Sequence, residues 1–460
     1  MKKFITITMT TIAAMMLFAC SAFALTDGDW EFQLLDNEVQ ITGYLGNDTE
    51  LVIPDTIYGA PVTQIKSYGI MDNEVKRELT SVKFPKNVKY IPDATFDECP
   101  KVTEFILPEG AEVIGKYAFR GCSALESIKL PETLKVISIS AFEHCTSLKT
   151  INFPASLERI DAMHAYQTFS GTAIEHVDLS KTTAQLGEAV FKNCKNLKTV
   201  KLKSDMKSIP KWMFDGCESL ESVEIPGGVT EIGGYAFAGC KSLKNIILPV
   251  SLKKINDFAA FASCEALEEV VIPYGTTNIG GNAFENCKNL KSVYIPDTVK
   301  AIGILNIVNG CPNAIIYCGA GSKTAEHCKK NSISYLTDNS VNSGITVLYN
   351  GTRISFHAYG QNPELLNSRT LVPLRSIFEA MGADVDWNPE TRTAIAKRDG
   401  IEVKIQIGAN EMYKNNRSIS VDVPATILND RTMVPARVIA EAFGADVQWN
   451  DNGKTVLINE

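Results

Sequence analysis

From Leu79 to Pro296 the chain repeats a unit of the form Leu-Lys/Glu-x-Val/Ile-x-Ile/Leu-Pro about every 23 residues, and the units close on Ala-Phe-x-x-Cys. Three consecutive units read Leu197-Lys-Thr-Val-Lys-Leu-Lys203, Leu220-Glu-Ser-Val-Glu-Ile-Pro226 and Leu243-Lys-Asn-Ile-Ile-Leu-Pro249. Apolar residues at alternate positions, returning at such a period, fit one short strand per coil of a solenoid. A single unit cannot bury its apolar face, so the units must stack, and stacking produces a long repeated face instead of a closed pocket. A chain of this kind is suited to holding another macromolecule and poorly suited to enclosing a small substrate.

The ends and the charge narrow the setting. Met1-Lys2-Lys3, an uncharged apolar stretch over residues 4–18 and Ala22-Phe23-Ala24 before Leu25 form a secretory leader, residues 1–24, with cleavage expected after Ala24. The stretch is too short to span a bilayer. Leu17-Phe-Ala-Cys20 offers a second reading, a lipoprotein box with lipid on Cys20, although Phe18 stands where such boxes carry a small residue. No later segment is apolar enough to insert in a membrane, and no Leu-Pro-x-Thr-Gly signal precedes the final Thr455-Val-Leu-Ile-Asn-Glu460. The mature chain is therefore expected to be secreted or held at the cell surface. Its formal charge goes from −8 to −10 when Lys2 and Lys3 are removed, which argues against nucleic acid or an anionic membrane as the main partner.

Within each coil the three alternate apolar residues point inward, and the proline ends the strand because it cannot donate to a sheet. A second short apolar stretch such as Val229-Thr-Glu-Ile232 follows, then the turn carrying Ala236-Phe237 and Cys240. Phe119, Phe142, Phe191, Phe214, Phe237 and Phe284 are expected to stack as an aromatic spine. Nine of the twelve cysteines hold the repeat position: Cys99, Cys122, Cys145, Cys194, Cys217, Cys240, Cys264, Cys287 and Cys311. Side chains in register on successive coils point the same way, so these form a ladder of small buried thiols and not disulfides, despite the oxidising compartment that the leader implies. Cys318 and Cys328, outside the ladder, are the pair to test for a bridge. One coil, Ile160-Asp-Ala-Met-His-Ala-Tyr-Gln-Thr-Phe-Ser170, is three residues longer and lacks the cysteine, which predicts a bulge.

Residues 30–46 are expected to pair as strands and cover the first coil, which holds Leu51-Val-Ile-Pro54; an uncovered coil would expose both core and strand edge. These units resemble the BspA-type leucine-rich repeats of bacterial surface and secreted proteins over roughly residues 30–336. Residues 319–334 resemble that family's closing segment, a short helix sealing the last coil. The resemblance implies a solenoid with N- and C-terminal caps over 25–336, binding of host or matrix proteins, and no catalysis by the repeats. A polar stretch, Thr337-Asp-Asn-Ser-Val-Asn-Ser-Gly344, then reads as a linker.

A different repeat follows. Arg369-Thr-Leu-Val-Pro-Leu-Arg375 and the residues through Asn388 match Arg431-Thr-Met-Val-Pro-Ala-Arg437 and the residues through Asn450, at an offset of 62 throughout. Each copy reads as a strand, a short helix closed by Gly382 or Gly444, and a strand ending at Trp-Asn. Over 345–460 this pattern resembles the N-terminal domain of copper amine oxidases, a stalk or wall-associated module in exported bacterial proteins. The fold expected is thus a leucine-rich repeat solenoid of short parallel strands followed by a small duplicated α+β domain. The resemblance carries no copper: oxidase activity belongs to a separate domain with three histidine ligands, and 345–460 contain only His357.

No other constellation supports chemistry. Asp384, Asp386 and Asn388 start like a calcium loop, but Pro389 and Ile395 stand where glycine and glutamate are needed; a turn after a strand accounts for them. Arg375 with Glu379 and Arg437 with Glu441 have the spacing of helix-surface ion pairs of ~0.3–0.5 kcal/mol. His176 and Asp178 share one strand face without a pocket to tune them. No G-x-S-x-G, phosphate loop or H-E-x-x-H occurs. The chain is read as no enzyme, with no cofactor and no metal site.

The last outward position of each strand runs Lys83, Ile106, Lys129, Asn152, Asp178, Lys201, Glu224, Ile247, Val271, Tyr294, polar at first and apolar at the end. Asn245, Ile247, Glu269, Val271, Ser292 and Tyr294 are therefore the expected partner-binding residues on the concave face. Strand propensity alone, or cover by the C-terminal domain, would give the same apolar run. The expected function is adhesion or recognition of an extracellular protein, or of a wall or matrix polymer; the alternative is a wall-associated spacer without a dedicated ligand. Micromolar copper, calcium or zinc is expected to leave the melting temperature of the 345–460 domain unchanged in calorimetry, since a ligand that binds only the folded state raises it. A reproducible upward shift would point first to Asp384 and Asp386.

Overall fold

The computed structural model describes residues 25–460 except 305, 343, 355, 357–360 and 452–453, together with the side chains of all these but 257, 339 and 340. The expected leader and His357 lie outside the described residues. The chain divides into two compact units, one running through Ile174 with Lys181–Val190, the other comprising Glu175–Ser180 with Phe191–Glu460.

In the first unit the opening segment forms a sheet. Leu25–Asp27, Trp30–Leu35 and Glu38–Tyr44 run antiparallel, and Asp36 and Asn37 take φ of 48° and 71° in the connecting turn, the primed geometry that suits a two-residue hairpin. Glu38–Tyr44 then pairs in parallel with Ala60–Ile65, so Phe32, Val39 and Ile41 are fully buried over the first coil. Beyond it the strands stack in parallel in two columns. One holds Glu50–Val52, Ser81–Lys83 and Glu104–Ile106; the other runs Tyr90–Ile91, Val113–Ile114, Val136–Ile137, Arg159–Ile160 and Gln185–Leu186. The long coil disposes of its extra residues in a tight turn in which Met163 and Tyr166 exchange backbone hydrogen bonds of 3.0 Å. Phe169 returns to the spine beyond that turn, its ring stacked 5.5 Å from that of Phe142 and nearly parallel to it. Thr172 stands where the cysteine would be and is 3% exposed.

Within the second unit strands again stack in parallel from coil to coil. His176–Asp178, Thr199–Lys201 and Ser222–Glu224 pair in parallel, as do Glu269–Val271, Ser292–Ile295, Ile315–Cys318 and Tyr335–Thr337. The coil between these two sheets, around Asn245–Leu248, forms no strand, although its sequence carries the strand pattern. One coil has an additional residue, taken up by a bulge between Ile255 and Phe258 that turns Phe258 outward while Phe261 stays in the core. The spine of this unit is Phe191, Phe214, Phe237, Phe261 and Phe284, with centroids 5.2–6.1 Å apart. Phe96, Phe169 and Phe261 thus join the six residues expected from the sequence. The helix Lys323–Lys330, capped by Ser322 Oγ accepting from Ala325 N at 3.1 Å, lays Thr324, Ala325 and Cys328 on the last coil. Residues after it are packed as well: Asp338 is buried, and Asn342 Oδ1 accepts from Asp297 N at 2.8 Å.

The ladder thiols have a partner that spacing alone does not disclose. Seven of them, at Cys122, Cys145, Cys217, Cys240, Cys264, Cys287 and Cys311, donate from Sγ to the carbonyl of the spine phenylalanine in the preceding coil, at 3.0–3.3 Å. All eleven described cysteines are free thiols, including Cys318 and Cys328, and only Cys311 is not fully buried. Burial pushes the Cys145 thiol up to about 12 and those of Cys217 and Cys240 well above the usual range.

The duplicated domain lies in the second unit. Val372 and Val434 hold the same place in the two copies and pair with each other across the antiparallel strands Arg369–Pro373 and Arg431–Pro435; Leu371 faces Pro435 as Pro373 faces Met433. The register is symmetric about that valine pair, so a local two-fold axis relates the copies. The helices Leu374–Ala380 and Ala436–Ala442 end alike. Gly382 and Gly444, at φ of 74° and 97°, let Ala383 N and Ala445 N reach back to Phe378 O and Ala440 O, the closure that glycine in the left-handed region permits. Strands Asp384–Asn388, Thr393–Arg398 and Ile401–Gln406 form an antiparallel sheet after the first helix. After the second, Asp446–Asn450 and Thr455–Asn459 pair antiparallel, and Thr346–Tyr349, from earlier in the chain, adds to Thr455–Asn459 in parallel.

Native protein is expected to resist alkylation at pH 8, and denatured protein, without reductant, to label at all eleven thiols; few labelled thiols in denaturant would mean a cross-linked ladder. In urea unfolding, Phe237→Ala should cost about 3–5 kcal/mol. Cys240→Ala should cost only about 0.5–1.5 kcal/mol for its hydrogen bond, because Phe214 O also accepts from Cys217 N.

Candidate interaction face

Alternation along each strand leaves half of its side chains outside. In His176–Asp178, Thr199–Lys201 and Ser222–Glu224 the central valine is buried and both neighbours are exposed. Two outward rows result. His176, Thr199 and Ser222 form one, with His176 Nδ1 2.8 Å from Thr199 Oγ1; Asp178, Lys201 and Glu224 form the other, alternating in charge. His176 and Asp178 are not partnered as an acid–base couple, since Asp178 Oδ1 accepts from Ser180 N and Ser180 Oγ. In the first unit the equivalent row is Val52, Lys83 and Ile106, with Val52 61% and Ile106 44% exposed. Val52 extends the outward column by one coil beyond the sequence reading.

The apolar end of the column has different surroundings. Asn350 and Gly351 form a hairpin turn at φ of 49° and 80° between Thr346–Tyr349 and Thr352–Arg353, and this hairpin lies against five of the six residues expected to contact a partner, with Ser292 joined to it through Glu269. Arg353 N donates to Glu269 Oε1 at 2.7 Å, and its guanidinium sits 4.4 Å from the centre of the Tyr294 ring, which stacks in turn on Tyr317. The same guanidinium is 3.8 Å from Asp338, and both side chains are almost wholly buried. Ser292 Oγ donates to the other oxygen of Glu269 at 3.0 Å. The positive φ at Gly351 favours glycine, and a Cβ there would stand 3.1 Å from Asn245 Nδ2, displacing that exposed amide by a few tenths of an ångström. Ile247 and Val271 remain half-buried around a gap of about 40 Å³. The six residues therefore converge, but on the chain's own C-terminal domain. Burial drives the Glu269 carboxyl above its ordinary range, opposed by the hydrogen bonds from Ser292 and Arg353, and it pushes Tyr294 up to about 12.

The hairpin was missed by the sequence reading, although Asn-Gly between Thr346-Val-Leu-Tyr349 and Thr352-Arg-Ile354 is the usual signal for one. Elsewhere Asn388 Oδ1 accepts from Glu390 N and Thr391 N, the turn expected after that strand. Arg375, Glu379, Arg437 and Glu441 are all exposed on their helices. Among the described residues no three of His, Cys, Asp and Glu gather as metal ligands, and no helix is long and apolar enough to cross a membrane.

The profile of the BspA type leucine rich repeat region matches in six copies over residues 63–198, 165–260 and 256–351, and that of the copper amine oxidase N-terminal domain matches 348–458. A protease inhibitor of Brevibacillus choshinensis is 32% identical over 95 residues, which are 20% of this chain and only 28% of that protein. Among solved structures, a leucine rich cell surface protein of Faecalibacterium prausnitzii is 26% identical at a TM-score of 0.42, over 68% of this chain and 98% of that one. The pneumococcal vaccine antigen PcpA is 21% identical at a TM-score of 0.46, over 69% and 98%.

Removing Arg353 would leave Asp338 buried without its cation, so Arg353→Ala should destabilise the second unit by about 3–5 kcal/mol, read by calorimetry. Glu269 behaves oppositely. A carboxyl raised by folding holds its proton more tightly in the folded chain, so its favourable contribution is complete below the ordinary value and is lost as pH rises through the raised one. Glu269→Gln should flatten that dependence from the ordinary carboxylate range upward and melt no lower than the parent at pH 7.

Proposed function

The chain belongs to the BspA-type leucine-rich repeat family, and from that membership we propose that it is a non-catalytic recognition protein, secreted or surface-held, that grips an extracellular protein with the concave face of its solenoid. The observation that supports this most directly is the pair of exposed rows His176–Thr199–Ser222 and Asp178–Lys201–Glu224. Their backbone is already paired between coils and their valines already buried, so nothing in the fold demands particular side chains outside. Charges alternating at the ~4.8 Å strand spacing form a pattern that can be complementary to a defined protein surface. The residues first marked for contact enter this reading at its rim: Asn245 is exposed and Ile247 half-buried beside the open rows, whereas Ser292 and Tyr294 lie beneath the hairpin.

Mature protein should be passed over arrays of host extracellular-matrix proteins and cell-wall polymers, and whatever is retained used for titration. The double reversal Lys201→Glu with Glu224→Lys should weaken binding tenfold or more while leaving the melting temperature unchanged, because both side chains are exposed. Retention of no protein at all, or unaltered affinity in every outward variant, would favour the spacer reading.

A further inference from the structure

The local two-fold axis of the C-terminal domain builds two like grooves, and each needs both copies. One, of about 410 Å³, is lined by Trp387, Asp386 and Arg375 from the first copy and by Arg431 and Thr432 from the second. The other, of about 730 Å³, is lined by Trp449, Gln448 and Arg437 from the second copy and by Arg369 and Thr370 from the first. Every residue of one groove stands 62 positions from its counterpart in the other, so the duplication and the antiparallel crossing of the central strands produce the pair together. We propose that these grooves bind an uncharged polysaccharide, one run of pyranose rings in each.

The lining favours that chemistry. Trp387 is 38% exposed, and Trp449 rests partly on the hydrophobic core of the domain while its indole N–H is held by Asp451. A fixed, half-open indole is a flat apolar surface of the size of a sugar ring, whose C–H face packs on an aromatic plane. Around each indole stand groups able to grip neighbouring hydroxyls from both sides: guanidinium donors with carboxylate or amide acceptors. The charges nearly cancel. Arg375 and Arg431 line the smaller groove together with Asp386 and Asp430, and Arg369 in the larger is joined to Asp422 at 2.7 Å. A polyanion would meet the carboxylates and a polycation the guanidinium groups; a neutral polyol can use both. Arg375 and Arg437 are exposed on the groove walls, where their guanidinium donors can reach a ligand. The volumes suit a short stretch of saccharide in each groove, and two equivalent sites on one domain suit a ligand that repeats, whose second contact forms at high effective concentration.

The test uses the full mature chain in affinity electrophoresis through gels containing hydroxyethylcellulose, mixed-linkage β-glucan or galactomannan, with polygalacturonate and poly-glutamate gels as charged comparisons. Retardation in at least one neutral gel is expected. Trp387→Ala or Trp449→Ala should weaken it about tenfold, and the double variant should abolish it, at about 10²-fold or more. Should the tryptophan variants fail to fold, the exposed pair Arg375→Ala with Arg437→Ala decides: weaker retardation supports the grooves, and unchanged retardation overturns them. Migration unaffected by every neutral polysaccharide, or slowed only by polygalacturonate or poly-glutamate, would also overturn the proposal.

Discussion

Phe119, Phe191, Phe214, Phe237 and Phe261 are each tied to the following coil in three ways, and the stacking of the coils stands on that repeated attachment. Phe237 N donates to Ala260 O at 2.8 Å, Phe237 O accepts the thiol of Cys264 at 3.2 Å, and the Phe237 ring stacks on that of Phe261 at 5.2 Å. Phe119 holds Ala141, Cys145 and Phe142 in the same manner. A coil has no core of its own; its aromatic ring is dry, and its backbone satisfied, only because another coil follows. The ends need other material for the same reason: Phe32, Val39 and Ile41 of the opening sheet at one, the helix Lys323–Lys330 at the other.

Since the interior fixes the spacing, the outward positions are chemically free, and the chain uses them in two ways. Asp178, Lys201 and Glu224 stay exposed, whereas Glu269 and Tyr294 are given over to Arg353. The Asn-Gly turn brings that arginine in with its backbone N–H and guanidinium both engaged. One hairpin therefore fixes the C-terminal domain to the later coils through a buried ion pair, a ring contact and a charge-assisted hydrogen bond.

Much of this architecture is legible in the residues, because it is local and periodic. The return of Leu-x-x-Val-x-Ile places the strands, Ala-Phe-x-x-Cys places the spine, and the 62-residue offset places the duplicated domain. What the period cannot carry is what happens between non-repeating parts. Ile247, Val271 and Tyr294 stand out as unlike the charged coils before them, yet nothing in their spacing says whether a partner or another part of the same chain covers them. The thiol-to-carbonyl bonds escaped for a related reason: the spacing gives the direction of a side chain but not the lone pair it finds. The twin grooves depend on the antiparallel pairing of Val372 with Val434, a symmetry that an internal repeat permits but does not dictate.

The buried thiols set a condition on how the protein would endure in the oxidising medium that the proposed export implies. Free cysteines persist in an oxidising medium only while the coils stay shut, because the thiolate, which reacts, is suppressed by burial at Cys145, Cys217 and Cys240. A coil that opens exposes sulfur to oxidation, and a sulfinic or mispaired sulfur no longer fits against the phenylalanine carbonyl. Opening is then a one-way event, and the lifetime of the solenoid is governed by how rarely its coils separate, a rate, more than by the equilibrium between folded and unfolded chains.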